Sequence, residues 1–519
     1  MRFSWGDDWP FAVVLAAAAM MIVPLWLVDS PAMPDYPAHL ASFYLIAGGI
    51  HDPILSRFYH VEWSTIPNLA FEVLVPLLGN LMSLAAATKL LLSVGVLMWV
   101  TTPALINRAL YGRFGIAAFG AIFFAYNDNF MWGFFNYYFA AGLALTSFAI
   151  WLWTEKWSVF PKTLVFSLLT LVIYFCHVFG AALLLLMLGT YEFARFIEER
   201  PLRLADAFNR LWPLTLVALP SVLAFLFLKP EGSDSHVAFK IMDTLLDRYQ
   251  AAIALNFDQP GYVALAGLIG FLVLAIWRQW ISFHKYLFPM LASVLLLALA
   301  MPEEAMGGWG VDLRLPAVFG LLVFASAQVR LPRYGRVGMA AVVLLGVAAN
   351  AAALVGNWRY YDARYHEFRD AARDLPRGVR LMTVLDGDAI GDASDQPYWH
   401  IAEFEVIDRS AFTPLLFTTK GQHVVRLNPG LEHSAASSAQ QGSPPDVTEL
   451  DDLAAGTPNG DWDIGHVFPY LLHFPCKYDA VVLVHLHGKR SPVPDMLRLR
   501  RAGSFFSIYD IDRQSCLAR

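Results

Sequence analysis

Met33-Pro34-Asp35-Tyr36-Pro37-Ala38-His39-Leu40 follows directly on a long apolar run, Trp9 to Val28. The octet places an acid and a histidine four residues apart at the start of an amphipathic segment. Residues i and i+4 share a helix face, so Asp35 and His39 are expected to point the same way. Pro37 suits a first helical turn, where its missing N–H costs nothing. Asp35 would then stand at the positive end of the helix dipole. A plain helix cap beside a surface histidine would leave the same pattern, so the rest of the chain has to decide.

The chain has 519 residues, of which 57% are hydrophobic and only 15% charged. Mean hydropathy is +0.49. Soluble domains carry about a quarter charged residues. Apolar runs recur at the length that crosses a bilayer as helix, roughly 17–25 residues. This composition defines a polytopic α-helical membrane protein. No basic tract suggests nucleic acid. There is no Walker loop and no glycine-rich dinucleotide fingerprint, so direct use of a soluble nucleotide is unsupported.

The spacing predicts about eleven spans, at 9–28, 84–107, 114–127, 137–154, 163–177, 179–197, 211–228, 261–277, 286–301, 315–329 and 337–356. The first is read as retained rather than cleaved, because Pro24 interrupts it and no small-x-small site follows. Residues 67–83, broken by Glu72, Pro76 and Gly79, are either a twelfth span or an interfacial helix. Charge favours the second. With the N-terminus cytoplasmic, the inner loops carry Arg108, Arg113, Lys156, Lys162, Arg195, Arg200, Arg203, Arg210, Arg278, Lys285, Arg330, Arg333 and Arg336. The outer loops carry only Arg57, Lys229, Lys240, Arg248 and Arg314. That is the positive-inside asymmetry, and with an odd number of spans it puts the C-terminal region on the outer side. High Ala, Leu and Arg usage is compatible with a bacterial inner membrane.

Composition changes at Asn357. Short β-type runs appear at Val379–Leu385, Val424–Leu427, Ala480–Leu486 and Phe505–Tyr509, with a helical stretch over Tyr360–Leu375. The organisation expected is a transmembrane domain over 1–356, with a first outer loop at 29–83, and a periplasmic α/β domain over 357–519. Ser434–Gly460 reads as a surface loop. Of the three cysteines, Cys476 and Cys516 lie in the last polar region and could pair in an oxidising compartment. Asp386, Asp388, Asp392 and Asp395 hint at calcium, but Pro397 stands where an EF-hand needs its glutamate, so the run reads as a loop.

On this topology the unusual polar residues gather on the outer side. They are Asp35 and His39, Glu72, Lys89, Tyr126 to Asn129 (with Asn127 and Asp128), His177, Lys229, Asp234 and His236, Glu303 and Glu304, and Asp312 with Arg314. Each has an ordinary role open to it. Glu72 could snorkel, His177 could be a packing histidine, and Asp312 and Arg314 could be a local ion pair. A guanidinium also matches phosphate geometry, which makes Arg314 a candidate ligand for a phosphate.

A first span followed by an acidic outer loop, interfacial helices, many further spans and an outer domain resembles the GT-C class of membrane glycosyltransferases. Pro34 to Ala41 is similar to the D-Y-P-N-H-L-A-R stretch of a group of bacterial multi-span proteins of this kind. Pro67-Asn68-Leu69-Ala70, Trp132-Gly133-Phe134-Phe135-Asn136-Tyr137, Asp312-x-Arg314 and Tyr398-Trp399-His400 also look like that group. Ala38 stands in place of the asparagine, and Glu72 in place of an expected aspartate. The resemblance implies a polyprenyl-phosphate-sugar donor and an envelope glycan, lipid or protein acceptor, used at the periplasmic face. It implies that Asp35 is the base, or else helps to bind a divalent cation. Arg314, with Lys89 or His39, would stabilise charge on the phosphate. The remaining polar residues would line the substrate site, and His400 would meet the acceptor. Two other readings stay open: a secondary transporter, and a non-catalytic partner in polysaccharide assembly or export. The first is disfavoured by the scarcity of ionisable groups at mid-span.

Overall fold

The computed structural model describes residues 8–198, 204–228, 237, 252–253, 261–305, 308–387, 395–436, 444–456, 469–513 and 516. Lys229, Asp234, His236, Lys240, Arg248, Arg200, Arg203, Asp388 and Asp392 lie outside them. Strands are β1 Tyr59–Val61, β2 Ile281–Phe283, β3 Ala327–Val329, β4 Leu381–Asp386, β5 Val425–Leu427, β6 Ala480–His485, β7 Leu497–Ala502 and β8 Phe506–Ile511. Helices dominate the rest. The chain forms two compact units, one of residues 1–27, 65–71 and 89–356, the other of residues 28–64, 72–88 and 357–519.

Among the described residues six helices are long and apolar enough to cross a membrane: Trp9–Trp26, Leu84–Tyr111, Phe135–Trp153, Val159–Cys176, Val178–Glu198 and Arg333–Ala372. Other apolar helices run Leu204–Phe227, Gly261–Trp277, Phe288–Ala300 and Arg314–Ser326. The chain is thus a multi-pass helical membrane protein. Proline opens Trp9–Trp26, Tyr36–Ile46 and Phe288–Ala300, where an N–H is spare.

Several expected spans differ. Phe288–Ala300 and Arg314–Ser326 have 13 residues each, and the end of 315–329 is β3. Residues 114–127 do not form one spanning helix but two short turns, Ala118–Ala121 and Ile122–Phe124. The apolar run is filled by close packing instead. A Cβ on Gly120 would lie 2.2 Å from the Phe324 ring, and one on Gly320 would lie 1.9 Å from the Phe124 ring. Small residues here let two backbones approach, a familiar device in membrane bundles. The expected span 337–356 and the expected helix at Tyr360 are one helix of 40 residues, Arg333–Ala372. No proline stands between them to stop it. The ambiguous stretch 67–83 holds a nine-residue helix, Ala70–Leu78, with Pro76 inside. At 1.5 Å per residue it is too short to cross a bilayer.

In the second unit a four-stranded mixed sheet has the order β4-β6-β8-β7. β4 and β6 are parallel, and β8 runs antiparallel to both β6 and β7. Expected strands survive with small shifts, and β7 is additional. The first outer loop also contributes, because β1 pairs antiparallel with β5, Tyr59 opposite Leu427. Residues 28–64 therefore group with the C-terminal residues rather than with the spans. Leu45, Leu55, Phe58 and Tyr59 share a core with Val384, Phe412 and Leu483. Arg377 binds Asp52, and Ser410 donates to the same carboxylate at 2.8 Å.

Ser434–Gly460 is more than a loop. Its described part has a capping box, in which Asp446 Oδ1 accepts from Thr448 N at 2.8 Å and Glu449 Oε2 accepts from Asp446 N at 3.0 Å. The short helix Leu450–Ala455 follows, and Val447, Leu450 and Leu453 enter the core. Asp446-x-x-Glu449 is the sequence signature of that cap. Cys476 and Cys516 are disulfide-bonded. Most of the aspartate run lies outside the described residues; within them Asp386 ends β4 and bonds His485 at 3.0 Å.

Candidate functional site

The motif residues collect in two groups, one in each unit. In the second unit Asp35 is the N-cap of Tyr36–Ile46. Its Oδ1 lies 3.8 Å from Nε2 of His400, and Nδ1 of the same ring lies 3.8 Å from Oε2 of Glu403. His400 and Glu403 are buried, at 0% and 1% exposure, while the Asp35 side chain keeps 15%. Neither histidine nitrogen and neither Glu403 oxygen has a hydrogen bond among the described residues. Burial pushes the Asp35 carboxyl up to about 6, against an opposing pull from His400. Phe417 packs edge-on to both histidines, 5.0 Å from the His39 ring and 5.2 Å from the His400 ring. Asp35 and His39 are on one helical turn as expected, and His39 N donates to Asp35 O at 3.0 Å.

In the first unit the other motifs converge. Phe71 N donates to Asn136 Oδ1 at 2.9 Å, and Asn136 Nδ2 donates to Asn68 O at 3.3 Å. This ties the Pro67–Ala70 stretch to the Trp132–Tyr137 stretch. Next along, the Tyr137 hydroxyl donates to Arg314 O at 2.5 Å. The Arg314 guanidinium is buried, 4.6 Å from the Phe179 ring centre and 5.3 Å from that of Tyr137. Its Nε has no hydrogen-bond partner among the described residues. The His177 ring packs edge-on to Tyr137 at 5.5 Å, and His177 Nδ1 accepts from Phe179 N at 3.2 Å. Asp312 is buried two residues before Arg314. Asn129 Nδ2 reaches both Asn127 Oδ1, at 3.1 Å, and Leu313 O, at 2.9 Å. Burial pushes the neighbouring Asp128 carboxyl up to about 7.

Glu72 is buried in the first turn of Ala70–Leu78. The buried Lys89 ammonium stands 6.0 Å from the Trp26 ring centre. Glu403 and Phe417 were not singled out from sequence. The i, i+3 spacing of His400 and Glu403 carries the signal for the first; nothing local marks the second.

A cation could find ligands at Asp29, Asp362 and His366, whose ligand atoms all lie within 4.8 Å of one another. These groups already have other work. Asp362 accepts from the backbone N of Asp29 and of Ser30, both at 2.9 Å, and His366 pairs with Asp29 at 3.1 Å. The cluster reads as a tie between loop and helix.

The fold and these two groups define a multi-pass helical membrane protein with a mixed-sheet unit and buried ionisable clusters. No protein-family model matches the chain, and no curated protein matches it significantly. Solved structures similar to it include ArnT from Cupriavidus metallidurans in the apo state, and the same protein bound to undecaprenyl phosphate. The first has a TM-score of 0.48 at 13% identity, covering 96% of this chain and 97% of that one. The second has a TM-score of 0.45 at 13% identity, covering 98% of each.

Proposed function

We propose that the chain is a glycosyltransferase that moves a sugar from a polyprenyl-phosphate-linked donor to an envelope acceptor at the periplasmic face of a bacterial inner membrane. The observation that carries the reading is the line Asp35–His400–Glu403. A buried carboxyl with a pKa near 6 is a base suited to neutral pH, because it is largely ionised there yet still basic enough to take a proton. The motif resemblance supports the same assignment, and its scattered stretches gather into compact clusters.

In this reading Asp35 removes the proton of the acceptor hydroxyl as that oxygen attacks the anomeric carbon. The bond to the polyprenyl phosphate oxygen breaks and the phosphate departs with the electron pair. His400 holds the Asp35 carboxylate by charge, and Glu403 orients the ring. Arg314, cushioned by Phe179 and Tyr137, takes the phosphate charge; its unspent Nε–H is a donor available for that purpose. Lys89, His39, Glu72, Asn127, Asp128, His177 and Asp312 serve donor and acceptor binding. A divalent cation at Asp35 is compatible with a carboxylate that keeps 15% exposure.

The test compares envelope glycans from cells carrying wild-type protein, a deletion and Asp35→Asn at equal membrane expression. The expected result is loss of the same sugar in deletion and point mutant, with accumulation of its lipid-linked donor. A wild-type glycan profile from Asp35→Asn would reject the enzyme reading in favour of an assembly partner.

A further inference from the structure

The second unit holds another set of reactive side chains that the transferase reading does not use. Asp386 is the last residue of β4 and His485 the last of β6, directly opposite each other in the parallel pair. Ser507 lies on β8, opposite Leu483. Side chains alternate along strands, so Asp386, His485 and Ser507 lie on one face of the sheet. His485 Nδ1 is 3.0 Å from Asp386 Oδ2, and His485 Nε2 is 2.9 Å from Ser507 Oγ.

We infer that Asp386, His485 and Ser507 form a second reactive site, a serine nucleophile with its base and orienting acid, that takes carboxylic esters.

The tautomer follows from the bonds. Asp386 Oδ2 also accepts from Ser491 N at 2.9 Å. Burial works to raise the Asp386 carboxyl, but the bonds from Ser491 and His485 outweigh it and hold the group below its ordinary value. An ionised Asp386 can only accept, so Nδ1 carries the hydrogen. When the ring is neutral, Nε2 offers its lone pair to the Ser507 hydroxyl, the state a general base needs. The turn after His485 brings Ser491 round to Asp386. It needs two left-handed residues in succession, His487 with φ 52° and Gly488 with φ 76°. A non-glycine in that conformation is uncommon.

A structural clamp is a costly account of the trio. Its sheet neighbours on the same face, Met382, Val384, Val481 and Leu483, are buried and apolar. Asp386 Oδ1 is buried with no hydrogen bond among the described residues. An apolar trio there would avoid desolvating a carboxylate. The position also fits a site, because ligands of open α/β sheets bind beyond the carboxyl ends of parallel strands.

The reaction balances without a co-reactant other than water. Ser507 Oγ attacks the ester carbonyl carbon while its proton passes to His485 Nε2. The carbon–oxygen bond to the alcohol breaks, and His485 returns the proton to the departing alkoxide. Water then repeats the sequence on the Ser507 ester and releases the carboxylic acid. Asp386 acts here as a positioning residue.

The test uses the full-length protein in detergent with a small ethoxyfluorophosphonate, followed by peptide mapping. Phosphonylation of Ser507 in the wild type is the expected result. Labelling should be lost in Ser507→Ala and slowed at least ~100-fold in His485→Gln. In Asp386→Asn, labelling should weaken and its pH profile move, which loss of a mere clamp would not produce. The wild-type map stands even if a variant fails to fold. Absence of label at Ser507 in the wild type, or equal labelling of a folded His485→Gln protein, would overturn the assignment. Asp35→Asn should label normally, which separates this site from the transferase.

Discussion

His400 Nε2 stands 3.8 Å from Asp35 Oδ1, with the first residue fully buried and the second at the mouth of a helix. The separation is too long for a hydrogen bond and short enough for strong charge coupling in a poorly solvated place. Burial raises the Asp35 carboxyl to about 6, and His400 opposes that rise. Transfer should therefore increase with pH and level off above an apparent pKa near 6, since only ionised Asp35 accepts a proton. Asp35→Asn should reduce transfer at least ~100-fold at every pH. A pH–rate profile with purified lipid-linked donor checks both statements.

The same shift has a consequence for stability with a defined sign. The folded protein binds a proton at Asp35 more tightly than the unfolded chain, whose carboxyl titrates at 3.8. The group's favourable contribution is complete below pH 3.8, declines as pH rises through about 6, and is absent above. A shift of that size corresponds to up to ~3 kcal/mol. Asp35→Asn, which cannot ionise, should thus melt at or above the wild-type temperature at pH 7.5 while being inactive. Thermal melts of both proteins at pH 5 and pH 7.5 test this, and the gap between them should widen at the higher pH.

Removing His400 removes the group that opposes the Asp35 shift. His400→Gln should move the acid limb of the rate profile upward, while Glu403→Gln should act only through the ring it faces. If Glu403 positions His400, the double variant should show little more loss than His400→Gln alone, a non-additivity that a double-mutant cycle reads directly.

Arg314 and the rings of Phe179 and Tyr137 make a second testable pair. Lysine cannot reproduce a planar donor fork stacked on aromatic faces. Arg314→Lys should therefore behave nearly as badly as Arg314→Ala, each weakening polyprenyl phosphate binding ~10-fold or more. A titration with polyprenyl phosphate in detergent measures it. Equal affinity in wild type and Arg314→Ala would remove Arg314 from the phosphate role.

Much of this was legible in residues close together in sequence. The longest spans and the placement of Asp35 with His39 on one turn follow from periodicity and caps. The Asp446-x-x-Glu449 box could have been read the same way. Long-range pairing could not. Nothing in Tyr59–Val61 announces β5 as its partner, because an edge strand of three residues takes its register from the core it meets. Phe417 joins the Asp35 group through packing alone. The break-up of 114–127 depends on a glycine in one segment meeting an aromatic ring in another, and hydropathy cannot see that.

That last contact gives a prediction about folding. Phe124 sits over Gly320 and Phe324 over Gly120, with ring centres 6.1 Å apart. A methyl group at either glycine enters the space of a rigid ring rather than that of a flexible chain end. Overpacking of this kind costs roughly 1–3 kcal/mol. Gly320→Ala should lower the melting temperature of the detergent-solubilised protein, and Gly120→Ala should do the same. Because Phe124 is the ring that the new methyl meets, Phe124→Leu should restore much of the loss in Gly320→Ala. It should do little for Gly120→Ala, whose obstacle is Phe324. Rescue of both by Phe124→Leu would show that the two contacts are not separate obstacles, and that the pairing of each glycine with its own ring does not set the packing.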